Sequence, residues 1–460
     1  MSTKPLFSIL LLAMASMSLF VTSCRKDDDI NSTIPKVSDS QARDVITRYN
    51  EALLEVERYA AGYRPCPVTT VMAYSGFAMY EAALPGMPNY QTIMGKKAGV
   101  SLPVFDATKE YNWPLVISSA QAFIYKAGFP GVTQTLIFQA AENELQTKYS
   151  QGISNEVIQN SLKRGRDVAE VLWNYLKTDS YAFQAYLRPT EAYNKLPGNG
   201  IWEPTFPNFQ AGHWTKFGVG VSENAGGGAR LFAISPADRN IPAPIPYSED
   251  KKSVYYLQAL ENYNTVESGT EEDKWVAEFW SDDLLNLTFS PPVRMFAIAS
   301  QVYNNSDCNL EKALITNTKI GVGLSDASNA VWYLKWKYQV ERPVTYIRKV
   351  IDPNWKTILS ADGVTPPFAA YPSGHSTFGA VAAEVLTDEF GTDFAFTDRC
   401  HEGRVDFRGY ARTFPNFYSF AEENAESRIK LGVHWRMDCT EGLKLGYRIG
   451  RKVNQISWTK

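Results

Sequence analysis

Residues 68–83 (VTTVMAYSGFAMYEAA) carry apolar or small side chains on nearly every side, and Pro85-Gly86 closes the run. The stretch reads as a helix without a polar face, and such a helix is stable only when other elements enclose it. That need constrains the rest of the chain. Helical periodicity meets it at 40–61, where Val45, Tyr49, Leu53 and Val56 recur at three and four. Further helical runs are expected at 113–127, 131–151 and 155–178; in the last, Val157, Leu162, Val168, Val171, Leu172 and Tyr175 form the apolar stripe. Helical pattern resumes at 254–262, 271–279, 291–304, 309–342, 378–390 and 421–452. Strand-like alternation is scarce, and no repeat of fixed period is present. The expected fold class is all-α, with helices packed around one or two bundle cores. A chain of 460 residues makes one large or two ordinary domains, and we divide it into helical regions 41–305 and 306–460.

Residues 179–250 break the pattern, with Gly198-Asn199-Gly200-Ile201-Trp202-Glu203-Pro204 and Gly226-Gly227-Gly228 marking long irregular connections. A loop region of that length in a compact protein is usually functional or wraps a neighbour. His213 lies in it and reads as a structural or surface histidine. At the N-terminus, Lys4 precedes an apolar run from Leu6 to Val21, the layout of a secretory signal over 1–23. Val21-Thr22-Ser23-Cys24 resembles a bacterial lipobox, in which Cys24 is lipidated and becomes the mature N-terminus. Arg25-Lys26-Asp27-Asp28-Asp29 resembles an acidic export signal of some Gram-negative bacteria. Together these predict an exported protein, lipid-anchored at the outer membrane and compatible with its outer face, with 24–40 as a flexible tether. The net charge of −3 gives no reason to expect nucleic acid as a partner, so any anion must meet a local cationic site. Cys66, Cys308, Cys400 and Cys439 permit two disulfides in an exported chain or stay as buried thiols, and no Cys-x-x-Cys spacing points to zinc.

Three separated stretches carry the chemistry. In the first, Lys335 and Arg342 are seven apart in a helical run that Pro343 should end, so both cations are expected on one face about 10 Å apart. Cations on a face of tryptophan and tyrosine are costly unless an anion meets them. The second is Tyr371-Pro372-Ser373-Gly374-His375-Ser376-Thr377, a polar loop before the small-residue run that starts at Phe378. A helix start offers free N–H groups and a positive dipole end, Ser373 a hydroxyl, Gly374 close backbone approach, and His375 a proton carrier near neutral pH. The third is Glu426 to Asp438. Arg428 and His434 are six apart, and Gly432 offers a break that could aim both at one point. Asp438, four after His434, can reach its imidazole and fix the tautomer.

In order, Lys335, Arg342-Pro343, Pro372-Ser373-Gly374-His375, Ser427-Arg428, His434 and Asp438 resemble the three-part signature of one superfamily. It joins vanadium-dependent haloperoxidases with type-2 phosphatidic acid phosphatases and bacterial acid phosphatases. The flanks (Phe368-Ala369-Ala370-Tyr371, Ser376-Thr377-Phe378-Gly379, Glu422-Glu423-Asn424-Ala425) look like the bacterial haloperoxidase-like branch. The resemblance covers about 330–450 and is weaker in the N-terminal half.

The resemblance implies a helical-bundle fold of the vanadium haloperoxidase/acid phosphatase type and a vanadate cofactor whose site phosphate can also occupy. Vanadate and phosphate are tetrahedral oxyanions that become trigonal bipyramidal. Lys335, Arg342 and Arg428 would neutralise the equatorial oxygens, with Ser373 and the Gly374 N–H completing the donors. His434 would be the axial group, ligating vanadium or carrying a phosphohistidine, and His375 the acid/base on the opposite side. Trp332 and Phe368 match aromatic positions that line the halide side in fungal chloroperoxidase-type enzymes. The first expectation is a haloperoxidase with hydrogen peroxide and halide as partners, in which Lys335 polarises bound peroxide. The second is a metal-free phosphatase acting on a phosphoester through the same residues. A third, of another class, is a non-catalytic cell-surface lipoprotein in which 179–250 bind a partner.

Overall fold

A computed structural model of the protein describes residues 34–210, 212–219, 227–406 and 408–460. The signal segment, Cys24 and the acidic run after it lie outside the described residues. Fourteen α-helices follow in chain order among the described residues: α1 (Asp44–Glu57), α2 (Pro67–Ala83), α3 (Met94–Ala98), α4 (Trp113–Gly128), α5 (Val132–Tyr149), α6 (Asn155–Lys177), α7 (Val254–Ser268), α8 (Glu271–Phe279), α9 (Pro291–Asn304), α10 (Leu310–Tyr338), α11 (Pro343–Val350), α12 (Gly374–Phe390), α13 (Phe417–Lys430) and α14 (Arg436–Asn454). The all-α expectation holds. One short antiparallel pair was not expected: β1 (Phe396–Asp398) against β2 (Arg412–Phe414), between α12 and α13.

Every residue of α2 is buried, as its missing polar face requires. It packs along α10 and against α4 and α6. The approach to α10 is close because small residues face each other. A Cβ added at Gly76 would fall 2.9 Å from the Thr318 Cα, and one at Gly321 2.8 Å from the Met72 carbonyl oxygen. In α6 the buried face runs through Ser161, Gly165, Val168, Ala169 and Leu172. Its small members fit against α4, whereas Val157, Leu162, Val171 and Tyr175 of the expected stripe are only half-buried.

Helix α10 joins the two halves of the chain, packing on α2 and also on α12 and α14. It is 29 residues long, capped by the Asn309 side chain, which accepts the Lys312 N–H at 2.9 Å. Polar side chains inside it bind Phe217, Ala229 and 232–234 of the irregular region. Asp326 accepts the N–H groups of Phe232, Ala233 and Ile234 at 2.7–3.0 Å, and burial still lifts its carboxyl to about 6. Asn329 donates to the Phe217 and Ala229 carbonyls. Backbone polar groups that no helix satisfies thus find partners on a neighbouring helix. Trp202, Trp214, Tyr193 and Trp336 stack as a cluster over the end of α10. The tether expected to reach residue 40 is already docked at Val37, which is buried; the Ser38 and Ser40 carbonyls accept from Asn309 and Leu310.

The helix expected to run to Arg342 ends four residues earlier. Gln339 takes a left-handed backbone (φ 46°) as its C-cap, and Arg342 is the extended N-cap of α11, with Pro343 at its first position. Pro343 therefore starts a helix, the role its fixed φ and missing N–H suit best. Lys335 and Arg342 do not share a helix face. Likewise α12 begins at Gly374 rather than Phe378, which puts His375 in its first turn. The run 421–452 is two helices. Gly432 (φ 79°) lies between α13 and α14, as the reading of the third stretch expected. Gly442, Gly446 and Gly450, spaced by four on α14, let it lie directly on α12; a Cβ at Gly442 would meet the Ser373 carbonyl oxygen at 2.8 Å. That contact aligns the starts of the two helices that carry Ser373, His375 and Asp438.

Candidate active site

Each of the three stretches ends a helix or begins one. Lys335 sits in the last turn of α10 and is buried; its Nζ donates to the carbonyls of Ala369 (2.7 Å), Ala370 (3.0 Å) and Pro372 (2.8 Å). The ammonium thus anchors the approach to α12. Arg342, fully buried, donates through Nε to the Phe368 carbonyl (2.8 Å) and through Nη1 to the Val433 carbonyl (2.8 Å) and His434 Nε2 (3.0 Å). Ser373 caps α12, its Oγ accepting from Ser376 N at 3.3 Å, and its own N–H donates to the Asp438 carbonyl at 3.0 Å.

The Arg342 contact fixes the state of His434. A guanidinium nitrogen can only donate, so Nε2 must accept, and the ring proton is assigned to Nδ1. Nδ1 lies 2.8 Å from Asp438 Oδ2, which also accepts the Trp435 N–H at 3.0 Å in the first turn of α14. Burial lifts the Asp438 carboxyl to about 7, against the opposing pull of that N–H and of Lys335 and Arg342. Burial, then the charges of Arg342, Lys335 and Arg428, hold the His434 imidazole neutral, well below its ordinary range. Burial, then Arg342, also pushes the Lys335 ammonium down.

Sequence reading missed the acidic partners. Arg428, in α13, donates from Nη2 to Asp283 Oδ2 at 2.7 Å, and the same oxygen is 3.9 Å from His375 Nε2. Asp282, next along the loop between α8 and α9, is paired with buried Arg294 of α9 at 3.1 Å, and Arg294 reaches Asp398 at 2.8 Å and His401 at 3.0 Å. The signal was present: an arginine inside an otherwise apolar helix, Pro-Pro-Val-Arg-Met-Phe, requires carboxylates nearby. Burial, then Arg428, depresses the His375 imidazole to about 3, so it is neutral through the physiological range.

A cavity of about 530 Å³ opens at this site, with Arg342, Ser373, Arg428 and Asp438 not among its lining residues. Lys335, Gly374, His375 and His434 line it together with Trp332, Phe368, Asp282 and Asp283. The Trp332 and Phe368 rings meet at 5.2 Å, and Lys335 Nζ is 5.8 and 5.2 Å from their centroids. His213, exposed, lines the same cavity and is tied through its N–H to the Pro367 carbonyl at 2.8 Å. Several buried donors have no protein partner: Arg342 Nη2, Arg428 Nε and Trp332 Nε1, with His375 Nε2 also unmet. The charges do not cancel either: Lys335, Arg342 and Arg428 stand against Asp283 and Asp438, and Asp282 is already paired with Arg294. Buried cations with unmet N–H groups are expensive in isolation, so the chemistry of this donor set calls for an oxyanion. The four cysteines Cys66, Cys308, Cys400 and Cys439 are free thiols. Among the described residues no group of His, Cys, Asp or Glu side chains is arranged to hold a metal ion.

An all-α chain that gathers three cations, two histidines and a capped serine at neighbouring helix ends defines a class. In fold and in this ordered set of residues the chain is similar to vanadium haloperoxidases. Residues 349–458 match the family described as the VCPO second helical-bundle domain. The vanadium chloroperoxidase of Curvularia inaequalis is 26% identical over 348 residues, covering 60% of this chain and 56% of that protein. The chain therefore spans little more than half the length of this curated relative. The structure described as the first bacterial vanadium-dependent iodoperoxidase superposes with a TM-score of 0.76 at 26% identity, over 91% of this chain and 97% of the other. A holo-type bacterial vanadium-dependent chloroperoxidase shares the fold at a TM-score of 0.62 and 15% identity, over 86% and 94%.

Proposed function

We propose that this protein is a vanadate-dependent haloperoxidase that oxidises halide with hydrogen peroxide. The observation that carries the reading is the set of unmet buried donors beside the aromatic pair Trp332 and Phe368. Arg342 Nη2, Arg428 Nε, the Ser373 hydroxyl and the Gly374 N–H would hold the oxygens of vanadate, and His434 Nε2 would bind it. Bound vanadate supplies a Lewis-acidic centre at its highest oxidation state that makes peroxide oxygen electrophilic toward halide. The chain's residues do the rest. Asp438 keeps the His434 proton on Nδ1, so Nε2 carries the lone pair, which the anion would have to take over from Arg342 Nη1. His375, neutral and with Nε2 unmet, accepts a proton from incoming peroxide and returns it to the departing oxygen. Lys335 can polarise bound oxygen only by exchanging one of its three carbonyl partners, so its charge reaches the anion at the cost of a backbone contact. Trp332 and Phe368 exclude water beside it, which leaves a halide poorly hydrated and reactive.

The tautomer of His434 also suits a nucleophile, and this favours a second reading: a metal-free phosphatase in which Nε2 attacks phosphorus and His375 protonates the leaving alcohol. One paired assay separates them. Protein loaded with vanadate should convert bromide or iodide and peroxide into a halogenating agent trapped by a dye, while a chromogenic phosphate ester stays intact. Ester turnover that vanadate inhibits, without halogenation, reverses the choice. His434→Ala should drop the halogenating rate at least ~1,000-fold, to background, with an unchanged circular dichroism spectrum. We further propose export and lipidation at Cys24, with the chain anchored at the outer membrane. Radiolabelled palmitate should mark the wild type and not Cys24→Ser; an unlabelled wild type ends that proposal.

A further inference from the structure

The chain is first tied down at one end of the bundle, and the active site lies at the other. The Pro35 carbonyl accepts the Trp113 Nε1–H, Val37 is buried, and the Ser38 and Ser40 carbonyls accept from Asn309 and Leu310 at the start of α10. Trp113 lies against Gly86, just past the end of α2, where an added Cβ would fall 2.4 Å from its indole. The C-terminus reaches the same place: Thr459 pairs with Tyr90, and Trp458 packs at 5.3 Å on Tyr80 in the last turn of α2. Helices α2 and α10 run antiparallel, since Gly76 meets Thr318 and Gly321 meets Met72. The end of α2 is therefore level with the start of α10. Arg64 and Pro65, just before α2, line the active-site cavity, and so does Lys335 in the last turn of α10. Leu285 of the cavity wall, 41% exposed, belongs to that far end too, because the next N–H, of Asn286, donates to the Arg58 carbonyl between α1 and α2. Lys335 is twenty-five residues along α10 from Leu310, a distance of about 37 Å. Cys24 to Ile34 is eleven residues, which span at most about 36–40 Å when fully extended. To lay the cavity against a bilayer that holds a lipid on Cys24, those residues would have to stretch almost fully along the flank of the bundle and give up nearly all their conformational freedom.

We propose that the end of the bundle built from the start of α10, the end of α2 and the C-terminus faces the lipid bilayer, and that the active site opens away from it into solvent; the bilayer as partner rests on the lipidation reading at Cys24. The point where the chain enters the fold and the short length before it set this orientation. An oxidant made at the active site is then released away from the anchoring lipids rather than into them.

The test uses the mature chain from Cys24, isolated from membranes with the lipid it carries and reconstituted in phosphatidylcholine vesicles that contain an acceptor-labelled phospholipid. A donor dye is attached to an introduced cysteine, either Leu285→Cys at the cavity or Lys460→Cys at the C-terminus. Cys400→Ser removes the one half-buried thiol, and Cys66, Cys308 and Cys439 are buried. Energy transfer to the bilayer should be at least threefold stronger from position 460 than from position 285. Twenty Gly and Ser residues inserted after Asp29 should bring the two close to equality, because a longer connection lets the bundle turn over. Equal transfer in the chain of native length, or stronger transfer from position 285, overturns the proposal. So does a ratio that the insertion leaves unchanged, since the length before the fold then does not set the orientation. An isolated chain without lipid refutes the lipidation reading instead. A phospholipid coupled through maleimide to Cys24 then supplies the anchor, and the same ratio still decides which end faces the bilayer.

Discussion

Two buried arginine clusters act on His375, and they are built on opposite terms. Around Arg294 two carboxylates, Asp282 and Asp398, meet one guanidinium at 2.8–3.1 Å, and the rings of Phe279 and Trp280 cover it at 4.4 and 4.0 Å. Around His434 the balance is reversed: Lys335, Arg342 and Arg428 outnumber Asp283 and Asp438, and donor atoms stay unmet. Both clusters meet the cost of burying charge. The first balances its guanidinium with the chain's own carboxylates, although Arg294 Nε, like Arg428 Nε, has no hydrogen-bond partner. The second lacks a negative group, so it is complete only with a bound anion. An arginine whose charge the chain's own carboxylates balance is structural; one that stands in an excess of positive charge is a receptor.

That contrast is broken most directly by removing one arginine from each cluster. Arg294→Met leaves two carboxylates buried and unpaired, and we expect a loss of about 3–5 kcal/mol in urea unfolding. Arg428→Met leaves only Asp283, whose side chain reaches the cavity with 11% exposure. It should cost less than half as much in stability, yet lower the halogenating rate by at least ~100-fold. Equal losses of stability would show that the second cluster is also structural.

A ligand should act on one cluster only. Vanadate, or phosphate as its stand-in, at a hundred times its dissociation constant should stabilise the wild type by about 2.7 kcal/mol. The upward shift of the thermal midpoint should vanish in Arg428→Met. A shift of the same size in that variant would place the anion elsewhere.

How far the sequence exposed these clusters follows from how each is encoded. The receptor was legible because its residues stand at helix ends, where order along the chain survives as a pattern: Lys335, Arg342, Ser373, His375, Arg428, His434, Asp438. The break at Gly432 was legible too, since a residue needing a left-handed backbone marks it. The seven-residue spacing of Lys335 and Arg342 misled for a physical reason. Pro343 was read as a terminator, whereas it opens α11, and the intervening turn at Gln339 has no strong sequence mark. The Arg294 cluster was not legible as a unit. Asp282, Arg294 and Asp398 lie on three segments more than a hundred residues apart end to end, and tertiary packing alone pairs them. The short β1–β2 pair escaped because three-residue strands carry too few alternations to show a period. In 179–250 the reading found irregularity without its cause, which is that Asp326 and Asn329 of α10 serve as the missing backbone partners.

The smallest effect concerns the group between the two clusters. His375 has an ordinary value of 6.5 and is held at about 3, first by burial and then by Arg428, while Asp283 and Asp282 pull the other way. Between those values the unfolded chain binds a proton that the folded chain refuses. The stability of the folded state therefore rises with pH across this window and is lost as pH falls below about 6.5. From pH 7 to pH 5.5 the loss assigned to this one group is about 1 kcal/mol. His375→Gln removes the group, so the wild type should lose about that much more than the variant over the same interval in anion-free buffer. A bound oxyanion supplies negative charge beside the ring and raises its folded value, so saturating phosphate should shrink the difference. If wild type and variant keep parallel slopes in both buffers, His375 is not under the electrostatic pressure of an unfilled cationic cage, and the contrast between the two clusters loses its link to catalysis.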